Sequence, residues 1–319
     1  MTQAWIPVRV ACKRAVARDI VHMILEAEDG AALPAFDAGA HIDVELPGGI
    51  VRQYSLCGVP GAARRYELGI LNDPQGRGGS RAIHDRVATG DALRISPPRN
   101  LFPLTPGEPA LLFAGGIGIT PILAMAEQLH RDGTPFELHY CVRSRDRAAF
   151  LDRIENAPYA AGLHLHSDDR PDSALRAAAL LARPSLWARL YICGPGGFID
   201  FVTRTAQDAG WPPERIHFER FAAAPAPATG ERPFELQLAD SGRIIPVRAD
   251  QSAADALLEA GFDLPLSCEM GLCGTCVTPV EDGVPDHRDQ HLTPEERAAN
   301  RCFTPCCSRA HSPRLVIRL

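Results

Sequence analysis

Three cysteines crowd into nine residues near the end of this chain, Cys268, Cys273 and Cys276, at C-x4-C-x2-C spacing. Thiols placed so closely force a tight loop. Gly271 and Gly274 supply backbone that can bend around a small group and turn N–H donors toward it. Cys306 follows after 29 further residues. This is the ligand spacing of a plant-type [2Fe–2S] centre, with three ligands from one loop and the fourth from the returning chain. On count alone, Cys302 or Cys307 could stand in for Cys306. Cys273-x2-Cys276-x10-His287-x3-His291 offers a Cys2His2 zinc alternative, but its central gap is short and it leaves Cys268 and Cys306 unexplained. His287-Arg288-Asp289 matches a kinase catalytic triplet but lacks the accompanying glycine loop, lysine and asparagine, so that reading fails.

The rest of the composition narrows the setting. At 319 residues the chain is long enough for two or three domains. Six of its 10 cysteines fall between Cys268 and Cys307, whereas Cys12, Cys57, Cys141 and Cys193 are scattered and read mostly as buried small hydrophobes. The first residues show no charged-then-apolar signal pattern. The uncharged run Ala110–Ala126 is short and broken by glycines and Pro121, which predicts a strand, a turn and a helix, not a membrane span. A cytoplasmic protein is expected, with clustered thiols acting as ligands and not as disulfides. Lys13 is the one lysine against 32 arginines, so there is no P-loop lysine, and a Schiff-base lysine would have to be Lys13 in the first strand. From Pro233 onward, 8 arginines face 13 acidic residues, a net −5 of the chain's −6. That balance gives nucleic-acid binding no support and suits an acidic surface meeting a basic protein partner.

Along the chain, residues 8 to about 102 alternate in β fashion over Val8–Ala17, Ile20–Ala27, His41–Leu46, Val51–Cys57, Tyr66–Leu71 and Ala92–Ser96. Short strands at this spacing predict a closed or sandwich-like β domain. A short helix is expected near Ser80, with that serine as its N-cap. From Ala110 the rhythm becomes strand–helix. Ala110–Ala114, Phe136–Val142, Leu163–His166 and Arg189–Cys193 read as strands and Pro121–His130 as a helix, the pattern of a doubly wound parallel sheet. Domains are expected at 1–104 and 105–222, then a proline- and alanine-rich linker at 223–232, then a final module at 233–319 with a helix at Ala253–Ala260.

Several short motifs fall where ligands would bind. Arg52-Gln53-Tyr54-Ser55 lies on a strand, and Gly78-Gly79-Ser80 leads into a helix N-terminus that suits a phosphate, though an ordinary capped turn explains it as well. Gly115-Gly116-Ile117-Gly118-Ile119-Thr120-Pro121 joins a strand to a helix, the context of a dinucleotide loop, but departs from G-x-G-x-x-G at its third glycine. Cys193-Gly194-Pro195 repeats the arrangement at the end of a later strand.

Arg-x-Tyr-Ser, Gly-Gly-Ser, Gly-Gly-Ile-Gly-Ile-Thr-Pro, Cys-Gly-Pro and C-x4-C-x2-C…C occur here in the order found in the phthalate dioxygenase reductase family. The resemblance runs over nearly the whole chain and includes Pro98-Arg99-Asn100, Asp286-His287-Arg288-Asp289 and Cys307-Ser308-Arg309-Ala310. It implies an antiparallel β-barrel flavin domain, an α/β doubly wound nucleotide domain and a β-grasp plant-type ferredoxin domain. By the resemblance, Arg52, Gly79 and Ser80 hold the phosphate of FMN, and Tyr54 and Ser55 lie against its ring with Ser55 near the reactive nitrogen. Gly115, Gly116, Gly118 and Thr120 form the nicotinamide-nucleotide loop. Cys193, Gly194 and Pro195 lie by the nicotinamide, and Phe221 packs by the flavin. Ser55 and Cys193 are then the candidate catalytic residues. Cys268, Cys273, Cys276 and Cys306 become the cluster ligands, because Cys306 occupies the first place of the family's Cys-x-Ser-Arg-Ala stretch and Cys307 fills its x.

NADH delivers two electrons as hydride, a [2Fe–2S] cluster takes one at a time, and flavin can do both and so must stand between them. The expected function is a monomeric reductase component passing electrons from NADH through FMN and the cluster to a Rieske-type aromatic oxygenase or O-demethylase. A cytochrome P450 partner is the alternative within this class, and a flavin- and zinc-binding protein without electron relay is the alternative outside it. Arg143 or Arg145, after the strand expected near the adenosine ribose, could favour a 2′-phosphate, whereas the family prefers NADH.

Overall fold

The computed structural model describes residues 5–74, 76, 78–182, 188–221, 231–266 and 268–319. It divides into two compact units, one ending at Phe221 and one starting at residue 222. The expected linker at 223–232 lies outside the described residues except for Glu231 and Arg232.

In the first unit, six antiparallel strands follow the alternation of the sequence: β1 (Ile6–Ala17), β2 (Ile20–Ala27), β3 (Ala40–Leu46), β4 (Ile50–Ser55), β5 (Arg65–Leu71) and β6 (Ala92–Ile95). They run in the order β4-β3-β6-β1-β2-β5, and a bridge between Leu56 and Leu68 joins the two outer strands into a barrel. Every second side chain points inward, so Val8, Val10, Met23, Leu25, Ile42, Val44, Tyr66 and Leu68 are fully buried in its core.

A short helix, α1 (Gly79–Arg86), lies between β5 and β6. Its N-cap is Gly78, in a left-handed conformation at φ 82°, and not Ser80. Ser80 is already helical, and its hydroxyl accepts from the Asp73 N–H at 3.1 Å. The other end of α1 is held by the one lysine of the chain. Lys13 Nζ, reaching from β1, donates to the carbonyls of Ile83 at 2.6 Å, His84 at 2.8 Å and Val87 at 2.7 Å. Burial lowers its pKa, opposed by Asp85 and Asp91. Three tetrahedral N–H donors meet three carbonyls converging at the negative end of a helix, a task the flat guanidinium fork fits poorly. This accounts for a lysine at this place in a chain that uses arginine everywhere else.

The remainder of the first unit is a parallel sheet of β7 (Ala110–Gly115), β8 (Phe136–Val142), β9 (Leu163–Ser167), β10 (Arg189–Gly194) and β11 (Ile216–Arg220), in the order β9-β8-β7-β10-β11. The order reverses between β7 and β10, which opens a crevice at their carboxyl ends. Helix α2 (Ile119–Arg131) follows β7, and α3 (Gly196–Asp208) follows β10. Helix α2 begins two residues earlier than Pro121, whose missing N–H falls among those a helix start leaves unpaired anyway.

One apolar cluster takes Ile20, Cys57 and Phe102 from the barrel side together with Ile122, Met125 and Tyr140 from the sheet side. Residue 104 is thus where the architecture changes, not where a compact unit ends. Charge reinforces the seam: Arg153 donates to Glu67 at 3.3 Å, to Glu127 at 3.0 Å and to the Cys57 carbonyl at 3.2 Å.

The second unit carries a mixed sheet of β12 (Phe234–Leu238), β13 (Ile244–Val247), β14 (Thr278–Asp282), β15 (Cys302–Phe303) and β16 (Arg314–Ile317), in the order β13-β12-β16-β14-β15. Strands β12 and β16, the first and last, pair in parallel and the others antiparallel. Helix α4 (Ala253–Glu259), capped by the Ser252 hydroxyl, packs Ala253, Ala254 and Leu257 into a core with Leu236, Leu315 and Ile317. This is the β-grasp arrangement. Among the described residues, no helix is long and apolar enough to cross a membrane.

The lysine cap gives a direct test. Replacing Lys13 with methionine leaves three helix-end carbonyls without that donor and is expected to cost about 2 kcal/mol or more of unfolding free energy. Lys13→Arg is expected to restore little of it, and an arginine variant as stable as wild type in urea melts would refute the three-carbonyl cap.

Candidate functional site

Strand β4 brings the first set of residues together. The stem of Arg52 lies over the start of α1 so closely that a Cβ on Gly79 would stand 2.4 Å from its Cγ. Arg52 Nη1 donates to the Val51 carbonyl at 2.7 Å. Arg52, Gly79 and Ser80 are therefore neighbours, at a helix start whose free N–H groups suit an anion. Tyr54, two residues on, packs against the barrel core, and burial raises its phenol pKa well above the ordinary value. Ser55 ends the strand, 6% exposed.

The glycines of the two sheet loops are required by one another. A Cβ on Gly118 would lie 2.2 Å from the Cys193 carbonyl oxygen and 2.6 Å from the Gly194 nitrogen. Gly194 in turn approaches the Gly115 Cα within 2.9 Å of where its own Cβ would be. Pro195 and Phe198 close over Gly115 from the second loop. The loops Gly115–Gly118 and Cys193–Pro195 thus form one surface at the switch point, with backbone facing backbone. Thr120 braces this surface against the barrel. Its hydroxyl donates to the Ile117 carbonyl at 3.0 Å, and its methyl would meet a Cβ on Gly69 of β5 at 2.7 Å. Phe221, just past β11, packs against the shared apolar cluster.

Between the barrel and the sheet lies a group the sequence reading did not single out. Ser55 Oγ donates to Glu219 Oε2 at 3.4 Å. Glu219 sits on β11 directly opposite Cys193 in the parallel register. Burial pushes its carboxyl up to about 8, and Ser55 pulls the other way. The Cys193 thiol, fully buried, is raised by burial and by the facing Glu219. Ser55, Cys193 and Glu219 thus meet at one point, a serine hydroxyl and a proton-holding carboxyl over a neutral thiol. Strand β11 is not recognisable from the sequence because its apolar/polar alternation covers Ile216 to Glu219 alone. The signal available was Glu219 two residues ahead of Phe221.

In the second unit the cysteines are paired. The Cys276 and Cys306 sulfurs are 3.2 Å apart. Cys268 and Cys273 form the other couple, in which the hydrogen bond from Cys268 holds the Cys273 thiol below its ordinary value. The loop turns N–H groups inward as the glycines require. Met270, Leu272 and Cys273 each donate to the Cys268 sulfur at 3.4 Å, and Thr275 to Cys273 at 3.5 Å. Two pairs of thiols with amides around the sulfurs fit a [2Fe–2S] centre, which these four cysteines would hold. Among the described residues, no three His, Cys, Asp or Glu side chains form a group able to hold a single metal ion. His287 Nε2 is engaged with Asn300 at 3.3 Å. Cys302 lies in β15, paired with Pro279.

Residues 236–311 match the family model described as a 2Fe-2S iron-sulfur cluster binding domain. The chain is 50% identical over 316 residues to vanillate O-demethylase oxidoreductase of Pseudomonas sp. (strain HR199 / DSM 7063), covering 98% of this chain and 100% of that one. Among solved structures, phthalate dioxygenase reductase, described as a modular structure for electron transfer from pyridine nucleotides to [2Fe-2S], aligns with TM-score 0.80 and 36% identity over 99% of this chain and 98% of its own. An intact type IV self-sufficient cytochrome P450 monooxygenase aligns with TM-score 0.82 and 38% identity, over 99% of this chain but 41% of its own. Identity that runs end to end, over a barrel, a parallel sheet and a β-grasp unit in the same order, establishes that the chain belongs to the phthalate dioxygenase reductase family.

Proposed function

We propose that the chain is the reductase component of an oxygenase system, carrying electrons from NADH by way of FMN and a [2Fe–2S] cluster to a Rieske-type aromatic oxygenase or O-demethylase. The observation that carries this reading is the coexistence of two cysteine pairs in the second unit with the Ser55–Glu219–Cys193 meeting point in the first. When bound, the flavin supplies the conversion between hydride and single-electron transfer that neither nicotinamide nor an iron–sulfur centre performs alone. Centres of the plant type lie near roughly −400 mV and Rieske centres at about −150 mV or above, so transfer to such a partner is downhill.

Arg52 and the N–H groups that open α1 would hold the flavin phosphate, with Tyr54 against the ring. Ser55 presents a hydroxyl that donates to Glu219 at 3.4 Å. Burial raises the Glu219 carboxyl to about 8, which favours its protonated form at the Ser55 oxygen. Cys193 stays a neutral thiol that fills the floor of the crevice. Four cysteine thiolates, in pairs, would hold the two irons.

The nucleotide preference follows from charge near the strand ends. Arg145 is engaged by Glu155 through two contacts of 2.7 and 2.9 Å. Asp168 and Asp169, exposed at the end of β9, hydrogen-bond through their N–H groups to Val142 and Arg143 at the end of β8. Two carboxylates there repel a 2′-phosphate and suit a ribose hydroxyl, which favours NADH.

An oxygenase partner is supported by the full-length likeness to a dioxygenase reductase. A cytochrome P450 partner is the second reading, favoured by the likeness to part of a P450 monooxygenase. We place the protein in the cytoplasm as a monomer, with the acidic second unit facing its partner.

Three outcomes are expected. Cys273→Ser abolishes reduction of an external one-electron acceptor protein while flavin reduction by NADH, followed by stopped-flow bleaching, continues; loss of both would count against this order of electron flow. Steady-state assays give a higher kcat/KM with NADH than with NADPH, and equal values would remove the role of Asp168 and Asp169. The third concerns Glu219. Its folded pKa of about 8 stands above the ordinary carboxyl value of 4.5. Its contribution to stability is thus complete below the ordinary value and is lost as pH rises through the folded one, at no more than about 1.4 kcal/mol per pH unit. The flavin-loaded wild type should therefore lose stability relative to Glu219→Gln between about pH 5 and 9. A difference that stays flat across that range would show the carboxyl is not held protonated.

A further inference from the structure

Cys306 and Cys307 leave one tight turn in two directions. The turn is fixed by Thr304, whose carbonyl accepts from the N–H of Cys307 at 3.1 Å and of Ser308 at 2.9 Å. Thr304 and Ser308 are buried, 0% and 1% exposed, and their hydroxyls are 2.8 Å apart. From this base the Cys306 sulfur reaches Cys276. The Cys307 sulfur instead lies against the ligand loop between Cys268 and Cys273, where a Cβ on Gly271 would stand 2.4 Å from it. Gly271 has φ 73°, a left-handed backbone, so glycine there is required both by the turn and by the sulfur above it.

An ordinary buried cysteine packs among apolar groups. Cys307 does not. Its sulfur is 3.2 Å from the Thr304 hydroxyl and 3.8 Å from the Ser308 hydroxyl, and it is hydrogen-bonded to the Cys306 thiol. Cys302, the other spare thiol of this unit, is fixed in a strand opposite Pro279.

We propose that Cys307 is a reserve iron ligand, placed on the same turn as Cys306 so that it completes the four-thiolate set when Cys306 is removed. The proposal rests on the [2Fe–2S] reading given above. In the exchange, the iron–sulfur bond to Cys306 is replaced by one to Cys307, the Cys307 proton passes to the released Cys306 sulfur, and no oxidation state changes. Displacement is short because both sulfurs start beside the four-cysteine site and share one backbone anchor.

The test uses the whole flavin-loaded protein as wild type, Cys306→Ala, Cys306→Ser, Cys307→Ala and the Cys306→Ala/Cys307→Ala double variant. Iron, acid-labile sulfide and flavin are measured, with visible absorption and low-temperature EPR after reduction. Cys307→Ala should match wild type. Cys306→Ala should keep its iron and sulfide with shifted EPR g values, and only the double variant should lose both. Cys306→Ser should show the spectrum of an all-thiolate centre. A Cys306→Ala protein that holds flavin but is as poor in iron as the double variant, or a Cys306→Ser protein with the spectrum of oxygen-ligated iron, overturns the proposal. Loss of the cluster in Cys307→Ala with an unaltered spectrum in Cys306→Ala would make Cys307 the resident ligand and overturn it too. Absence of iron and sulfide from wild type after reconstitution would instead sink the underlying [2Fe–2S] reading.

Discussion

The backbone of Gly118 lies against the backbone of Cys193 and Gly194, closer than any side chain would allow. This contact joins the ends of β7 and β10 at the point where the sheet changes direction, and the rest of the first unit is arranged around it. It sets the position of Cys193, and through the register of β10 and β11 it sets Glu219 opposite. Glu219 then meets Ser55 from the barrel. A larger residue at 118 would push the two loops apart and, with them, the only place where strand β4 and strand β11 exchange a side-chain hydrogen bond among the described residues.

The barrel and the sheet are tied more firmly than a chain of separate modules would be. They share an apolar cluster, and Arg153 binds two carboxylates and a backbone carbonyl across the seam. A group proposed to lie between Tyr54 and the sheet loops needs both surfaces held in fixed relation, because hydride transfer demands near contact of the reacting atoms. The second unit applies a different rule. There the sulfurs come in pairs with amide donors turned to them, and the tightness of the loop depends on glycine at 271 and 274.

Much of this was legible in the amino-acid order. The cysteine spacing, the strand-to-helix glycine loops and the alternation of the barrel strands are local patterns, and they were placed within one or two residues. The misses are also local in origin. Serine commonly caps, so Ser80 reads as an N-cap, yet Gly78 in left-handed conformation turns the chain two residues earlier and leaves the Ser80 hydroxyl for Asp73. Strand β11 is hard to read because its alternation covers Ile216 to Glu219 alone, too short a stretch to stand out. Near residue 104 the chain passes from barrel to parallel sheet, and one apolar cluster is shared across that change.

The sequence by itself determined which residue types stand at which spacing: four ligand-spaced thiols, two glycine loops, an Arg-x-Tyr-Ser strand and one lysine. Those follow from chain chemistry within a few turns of backbone. Only the tertiary structure decided which of them meet. Glu219 faces Ser55 across 164 residues of chain, Lys13 caps a helix 70 residues away, and Cys306 and Cys307, adjacent in sequence, point at different parts of the ligand loop. Pairings of that range are set by strand order, register and close packing, which no short stretch of residues encodes.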